Sequence, residues 1–344
     1  MPKNHEVIAT EEAFCTPEIY RRTKELASQA GIPRSLKLLA KTVFGQSKQS
    51  AYLRESLLDL GDGRLNHMQE QGVDFQVISL TSPGVQALPA DMASALAREA
   101  NDILAEAVAK HPDRFAGLTA IYPLDVEGSV KEIERGASKL GMKGIIINSH
   151  THGLYLDHPQ FRDILAAAEA FSMPIYLHPR EPSPGMEQPF IDYGLFFAGW
   201  GFAAETGLHA MRLIMSGRLD EFPDLKIILG HLGEGLPYWL RRIDNRYKLQ
   251  ASLGNANPIQ NLPSYYFTRN FWITTSGMED PAALRLCLEN VSHDRIMFAG
   301  DFPYEDPRGS AEMVKTTVSD AALLSKIFST TARDIFNLNR EQEA

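Results

Sequence analysis

Short runs of Val, Ile, Phe and Leu recur along the chain. Each is closed by a turn residue and followed by a longer stretch with apolar positions at three- and four-residue spacing. Eight such runs are present: Val7–Thr10, Phe75–Leu80, Phe115–Ile121, Lys143–Asn148, Pro174–Leu177, Lys226–Gly230, Phe271–Thr275 and Arg295–Gly300. Nearly all their positions are apolar, which predicts parallel strands covered on both faces. The intervening segments have helical spacing. In Asp91–Lys110, the residues Met92, Ala95, Leu96, Ala100, Ile103, Leu104 and Ala107 form one stripe. Crossovers of this length allow neighbouring strands to pair in parallel. Eight alternations predict an α/β fold of the (β/α)8 kind, a TIM barrel, with a doubly wound open sheet as the structural alternative. Two stretches exceed the repeat, Pro17–Leu58 after the first strand and Pro179–Ala203 after the fifth, and are read as insertions capping the barrel mouth. No linker, low-complexity tract or internal repeat interrupts the pattern, so residues 1–344 are read as one domain.

Composition supports that picture and narrows the function. The chain has 344 residues, and a closed barrel of this kind commonly needs about 250 or more. Hydrophobic residues at 44% and charged residues at 22% are ordinary for a globular protein, so a sizeable core can form without staples. With 34 basic against 43 acidic residues the net charge is −9, and no dense Lys/Arg run is present, which argues against a nucleic-acid partner. Cys15 and Cys287 form no CxxC or Cys/His cluster, which excludes a disulfide framework or zinc knuckle and fits a reducing cytoplasm. The opening residues Met1–Glu6 lack the apolar stretch of a signal peptide, and no later run reaches about 18 apolar residues. The expectation is a soluble cytoplasmic protein with no membrane partner.

In a barrel, the loops after the strands share one face and build the site. Five strand ends carry reactive groups: Glu11 and Glu12 after the first, Thr81 after the second, His178 after the fifth, His231 after the sixth and Asp301 after the eighth. His178 emerges from Pro-Ile-Tyr-Leu-His-Pro as an apolar strand stops, which suits a metal ligand but equally a hydrogen-bonded structural residue. Asp301, in Gly-Asp-Phe-Pro-Tyr, suits a ligand or a helix cap. Together, Glu11, His178 and Asp301 offer an oxygen, nitrogen, oxygen set for a divalent ion with open positions. Glu234 follows His231 by three residues at the start of the next helix, where it either orients the imidazole or favours the helix N-terminus. His150, His152 and His158 have no metal-site spacing and are read as turn residues below the pocket.

Six segments point further: Ala-Thr-Glu-Glu-Ala-Phe at 9–14, Leu-Thr-Ser-Pro-Gly-Val-Gln at 80–86, Ile-Asn-Ser-His-Thr at 147–151, Leu-His-Pro at 177–179, Gly-His-Leu-Gly-Glu-Gly-Leu-Pro-Tyr-Trp-Leu at 230–240 and Asp-Phe-Pro-Tyr at 301–304. Through them nearly the whole chain resembles the amidohydrolase-superfamily decarboxylases of aromatic acids (amidohydrolase family 2), the group of 5-carboxyvanillate, γ-resorcylate and 2,3-dihydroxybenzoate decarboxylases, and most of all the first. The resemblance implies one divalent ion, Mn2+ by preference with Zn2+ or Mg2+ as alternatives, held by Glu11, His178 and Asp301. It implies a proton-donating role for Asp301, with His231 and Glu234 as catalytic support. Arg242 is implied as a carboxylate-binding residue in its own or a neighbouring subunit, its alternative being an exposed helix cation. Thr81 and Tyr304 are expected to bind ring substituents through their hydroxyls. Where many superfamily members place a His two positions after the first ligand this chain has Ala13, which excludes an HxH metal pair. The reading is therefore a carboxy-lyase acting on an ortho-hydroxybenzoate as a homodimer or homotetramer. A mononuclear hydrolase of an amide or lactone and a catalytically silent metal-binding scaffold are the alternatives.

Overall fold

The structure is a computed structural model, described here for residues 5–338. Eight strands lie side by side in sequence order in one parallel sheet: β1 Ile8–Phe14, β2 Phe75–Leu80, β3 Phe115–Ala120, β4 Gly144–Asn148, β5 Ile175–His178, β6 Ile227–Leu229, β7 Phe271–Thr274 and β8 Ile296–Met297. Register is continuous across the neighbours, for example Ile146 beside Tyr176 and Leu177 beside Leu229. The first and last strands meet as well. Thr10 Oγ1 donates to Phe298 O at 3.0 Å and Ala13 N to Phe302 O at 2.8 Å, so the sheet curls into a nearly closed barrel rather than an open doubly wound sheet.

The strands form where the Val/Ile runs predict because these side chains are covered on both faces. In β4, Gly144-Ile-Ile-Ile-Asn148, every residue is buried. The main departure is β1, which the apolar pattern ends at Thr10 but which runs four residues further. Its buried carboxylates at Glu11 and Glu12 are held by partners from distant strands, which a local pattern does not reveal. The long helix Ala90–Lys110 forms as expected, but its stripe is turned: Ala95 is exposed, while Ala93, Ala97 and Asn101 are buried. Asn101 can be buried because its amide donates to Ala120 O at 2.9 Å and accepts from Ala120 N at 2.8 Å, extending the β3 ladder.

Both insertions lie at the mouth, as expected. The first folds into three helices, Pro17–Ala27, Arg34–Phe44 and Lys48–Leu58. Thr16 caps the first of these, accepting from Ile19 N at 3.2 Å, with Pro17 starting the helix. The second insertion is mostly turns around a short helix, Gln188–Ile191, and passes into the helix Gly201–Met215. Among the described residues, no helix is long and apolar enough to cross a membrane.

Candidate active site

The site begins with an irregularity in β1. Ala9 pairs with Gln76 and Glu12 with Ile78, so two β1 residues, Thr10 and Glu11, stand opposite one residue of β2. Such a bulge re-aims side chains. Glu12 accepts from Gly300 N at 2.9 Å and Gln76 Nε2 at 3.1 Å. Glu11 crosses the barrel interior, where its Oε2 accepts from Tyr176 OH on β5, from Thr274 Oγ1 on β7 at 3.1 Å and from Ser276 Oγ. Gly230, at the end of β6, makes room for it: a Cβ there would lie 2.8 and 2.9 Å from the two carboxylate oxygens.

The other oxygen of Glu11 has no such support. Oε1 is buried without a hydrogen-bond partner, 3.5 Å from His178 Nε2 and 3.7 Å from His231 Nε2. Burying a carboxylate oxygen unpaired is costly, so this atom faces a place for a cation. The donor set fits one. His178 Nδ1 lies 2.8 Å from Pro179 O, a carbonyl that can only accept, so the proton sits on Nδ1 and the Nε2 lone pair turns to the cavity. One donor atom each from Glu11, His178 and Asp301 fall within 4.8 Å of one another, as donors about 2.0–2.2 Å from a shared ion would. Among the described residues no other group of His, Cys, Asp and Glu converges in this way. The site thus unites the three residues expected to hold a metal.

His231 and Glu234 also meet as expected, though not by the expected geometry. The sequence pattern puts Glu234 at the start of a helix, but the helix begins at Leu236. Residues 231–235 form a tight left-handed turn in which His231, Leu232 and Glu234 have φ of 52°, 52° and 54°. Side-chain-bearing residues there cost about 1–2 kcal/mol each, and strain of this kind gathers at functional sites. It folds Glu234 back so that Oε1 accepts from His231 Nδ1 at 2.9 Å, leaving His231 Nε2 aimed at Glu11 and, at 3.8 Å, at Asp301 Oδ2. Asp301 is left-handed too, at φ 58°.

The charges adjust to one another. Burial works against ionising Glu11, but nearby His231 and His178, with the Ser276 and Tyr176 hydroxyls, hold its carboxyl below the usual range. His231 also loses hydration, yet Glu234 and Glu11 keep its imidazolium favoured well above the ordinary value. Burial, with Glu11 alongside, pushes Asp301 up, and burial pushes Glu12 up to about 8. About a fifth of the His231 side chain, 21%, remains open to the cavity.

That cavity measures about 190 Å3 and has His178, His231 and Asp301 at its base. The two insertions make its roof, with Leu39, Val43, Gln49 and Leu53 from the first and Phe197 from the second, joined by Phe202. A wider depression of about 720 Å3 adjoins it and shares His231, Asp301, Phe202 and Glu305. Tyr304 lines the cavity, whereas Thr81 stands behind it with its hydroxyl 2.6 Å from the Tyr304 hydroxyl. Arg242 is exposed and borders a separate depression with Trp239 and Arg246, so within one chain it does not meet the other site residues. His150 accepts from Gly153 N at 3.2 Å and faces Glu181 O, and His158 accepts from Gln160 N, the turn roles expected of them.

Sequence reasoning missed Tyr176, Thr274, Ser276 and Glu305. Alternation could have found Tyr176, two positions before His178 on the same strand and hence on the same face. The hydroxyl run Thr274-Thr275-Ser276 ends β7 as the other site residues end their strands.

A model of the amidohydrolase family matches residues 55–338, most of the chain. The chain belongs to the amidohydrolase family. A γ-resorcylate decarboxylase of a Polaromonas species is 37% identical to this amidohydrolase over 97% of the chain and 99% of the relative. A crystal structure of 5-carboxyvanillate decarboxylase from Novosphingobium aromaticivorans, complexed with manganese and 4-hydroxy-3-methoxy-5-nitrobenzoic acid, superposes with a TM-score of 0.94 at 37% identity, covering 97% of this chain and 96% of the other. The 2,6-dihydroxybenzoate decarboxylase from Rhizobium gives 0.86 at 35% identity, over 97% and 99%. The resemblance read from the six motifs is thereby borne out.

Proposed function

We infer that this amidohydrolase is a metal-dependent, non-oxidative decarboxylase of an ortho-hydroxybenzoate, a carboxy-lyase whose resident ion is manganese. The observation that carries this reading is the buried, unpartnered Oε1 of Glu11 facing His178 and His231 beneath a roofed cavity, with Asp301 on its rim. Relatives of this length and likeness that are decarboxylases, one of them crystallised with manganese, support it. A divalent ion held by Glu11, His178 and Asp301 would supply positive charge that draws in a phenolate with its adjacent carboxylate and steadies charge as it develops.

The chain's own residues do the rest. Asp301, at the base of the cavity beside His231, is placed to hold a proton at a carboxyl oxygen and deliver it to the ring carbon that bears the substrate carboxylate. The carbon–carboxylate bond then breaks, its electron pair returns to the ring, and carbon dioxide leaves. The product hydrogen is the one Asp301 gave, and the carboxylate is reprotonated across the 3.8 Å to His231 Nε2, which Glu234 keeps oriented. Tyr304, braced by Thr81, binds a ring substituent. The apolar roof excludes water from the dearomatised intermediate.

Assembly is part of the same reading. Trp200, Tyr238 and Trp239 are 59%, 69% and 48% exposed, and Trp239 borders both the wide depression and the one containing Arg242. Aromatic exposure of this kind suits an interface in a homodimer or homotetramer, from which Arg242 reaches a neighbouring site.

The test is turnover of ortho-hydroxybenzoates by the manganese-loaded protein, followed by ultraviolet loss and carbon dioxide release. Asp301→Asn should lose nearly all turnover. Hydrolysis of esters or lactones without gas would overturn the assignment in favour of a hydrolase.

A further inference from the structure

One of the hydroxyls behind Glu11 also touches the turn that carries His231. Strands β6 and β7 are neighbours, with Leu229 beside Ile273, so the residues just past their ends lie side by side. There the backbone N–H of His231 donates to Ser276 Oγ at 3.1 Å, and the Ser276 hydroxyl donates to Glu11 Oε2. A backbone N–H can only donate and an ionised carboxylate can only accept, so the two ends fix the direction of this chain. Ser276 is fully buried. Thr274 and Tyr176 reach the same carboxylate oxygen, but among the described residues neither bonds to the His231 turn. That turn is strained, with every residue from His231 to Gly235 at positive φ. The other long-range bond to its backbone among the described residues is a weak one, from the Cys287 thiol to Leu232 O at 3.6 Å.

We propose that Ser276 is a positioning residue that couples Glu11 to the His231 turn, so that occupation of the metal site also orients the imidazole that reprotonates Asp301. The use made of His231 rests on the decarboxylase reading; the coupling itself does not. With Oε1 unpartnered, the Glu11 carboxylate is braced on its Oε2 side only, and a divalent ion at Oε1 would leave it a single orientation. That orientation fixes Ser276 Oγ, and Ser276 Oγ fixes the His231 N–H. Hydrogen bonds in such a chain polarise and strengthen one another. Removing the hydroxyl cuts the chain, leaves the His231 N–H without its partner and lets a strained backbone relax. His231 Nε2 then drifts from Asp301, and a misplacement of about 1 Å costs on the order of 100-fold in rate.

The test sets Ser276→Ala beside Tyr176→Phe, since each removes one donor to Glu11 Oε2 but only the first reaches His231. Both should weaken manganese binding about tenfold by calorimetry. At saturating manganese, with the ortho-hydroxybenzoate turned over fastest, Ser276→Ala should lower kcat at least about tenfold further than Tyr176→Phe does, with little change in KM. A second readout needs no turnover: hydrogen exchange of the His231 amide, followed by mass spectrometry of peptides that span it. Manganese should slow this exchange in wild type and in Tyr176→Phe, whereas metal-free Ser276→Ala should exchange about tenfold faster than metal-free wild type and respond little to manganese. A purely structural Ser276 would lower the melting temperature and leave the exchange indifferent to manganese. Equal kcat losses in the two variants overturn the proposal, as does a wild-type His231 amide whose exchange ignores manganese. If Ser276→Ala does not fold, the wild-type exchange still decides. If no acid is turned over, the decarboxylase reading falls, and the exchange comparison alone decides the coupling.

Discussion

Tyr176 offers the sharpest probe of how the barrel holds its ion. Replacing it by Phe removes one oxygen and leaves the ring, which is 1% exposed and packed in the core, in place. No cavity of consequence opens, so the fold should persist. What is lost is one of three donors to Glu11 Oε2, the others being Thr274 Oγ1 at 3.1 Å and Ser276 Oγ. A hydrogen bond to a charged group is worth about 1.5–3 kcal/mol, and two remaining donors place the loss at the lower end. That corresponds to about a tenfold weakening of manganese binding, within the roughly 10- to 100-fold range for partners that orient a metal ligand. Titration of metal-stripped protein with manganese, by calorimetry or by competition with a chelator, reads this directly, while kcat at saturating metal should change less. Unaltered manganese affinity in Tyr176→Phe would refute the claim that the hydroxyls behind Glu11 set its strength as a ligand. A lowered melting temperature with unaltered affinity would make Tyr176 a core residue only.

Two further outcomes follow from the geometry. Gly230→Ala puts a methyl group 2.8–2.9 Å from both Glu11 oxygens, so it should abolish stoichiometric metal binding, measured by metal analysis after gel filtration, while the barrel still melts cooperatively. His209 is fully buried, and burial, with Arg212 nearby, pushes it down to about 3, so it stays neutral in the fold while the unfolded chain takes up a proton below its ordinary value of 6.5. Its contribution is fully present above pH 6.5 and is lost as pH falls toward 3, at no more than about 1.4 kcal/mol per pH unit. Glu205, joined to it through Ser149 and held above its range by burial, acts in the opposite sense. The measurement is therefore the difference in urea-unfolding free energy between wild type and His209→Gln at pH 7 and pH 5. Parallel pH slopes would rule the linkage out.

The barrel was legible because parallel strands buried on both faces leave an unbroken trace of Ile, Val and Leu, as in Gly144–Asn148. The candidate metal set was legible once strand ends were aligned, since Glu11, His178 and Asp301 each follow such a run. What stayed hidden depends on contacts across the barrel or on unfavourable backbone. Nothing local in Ala-Phe after Glu12 says that β1 continues, because the two carboxylates before it are anchored by Tyr176, Ser276 and Gly300 from distant parts of the chain. Leu232 and Glu234 are not residues that favour left-handed φ, so the turn that brings Glu234 onto His231 read as an ordinary helix start. Arg242 was placed by resemblance alone, and one chain does not bring it to the cavity.

The division of labour between floor and roof bears on how this enzyme could change its diet. Every candidate ligand sits on a barrel strand or in the loop that follows one, whereas much of the surface over the substrate ring comes from helices Arg34–Phe44 and Lys48–Leu58 and the segment around Phe197, none of which supplies a metal donor. Recognition of the ring can therefore drift, or be redesigned, by exchanging the overhang while the ion and the proton donor stay as they are. A library confined to Leu39, Val43, Gln49, Leu53 and Phe197 should yield altered acid preference with manganese content untouched.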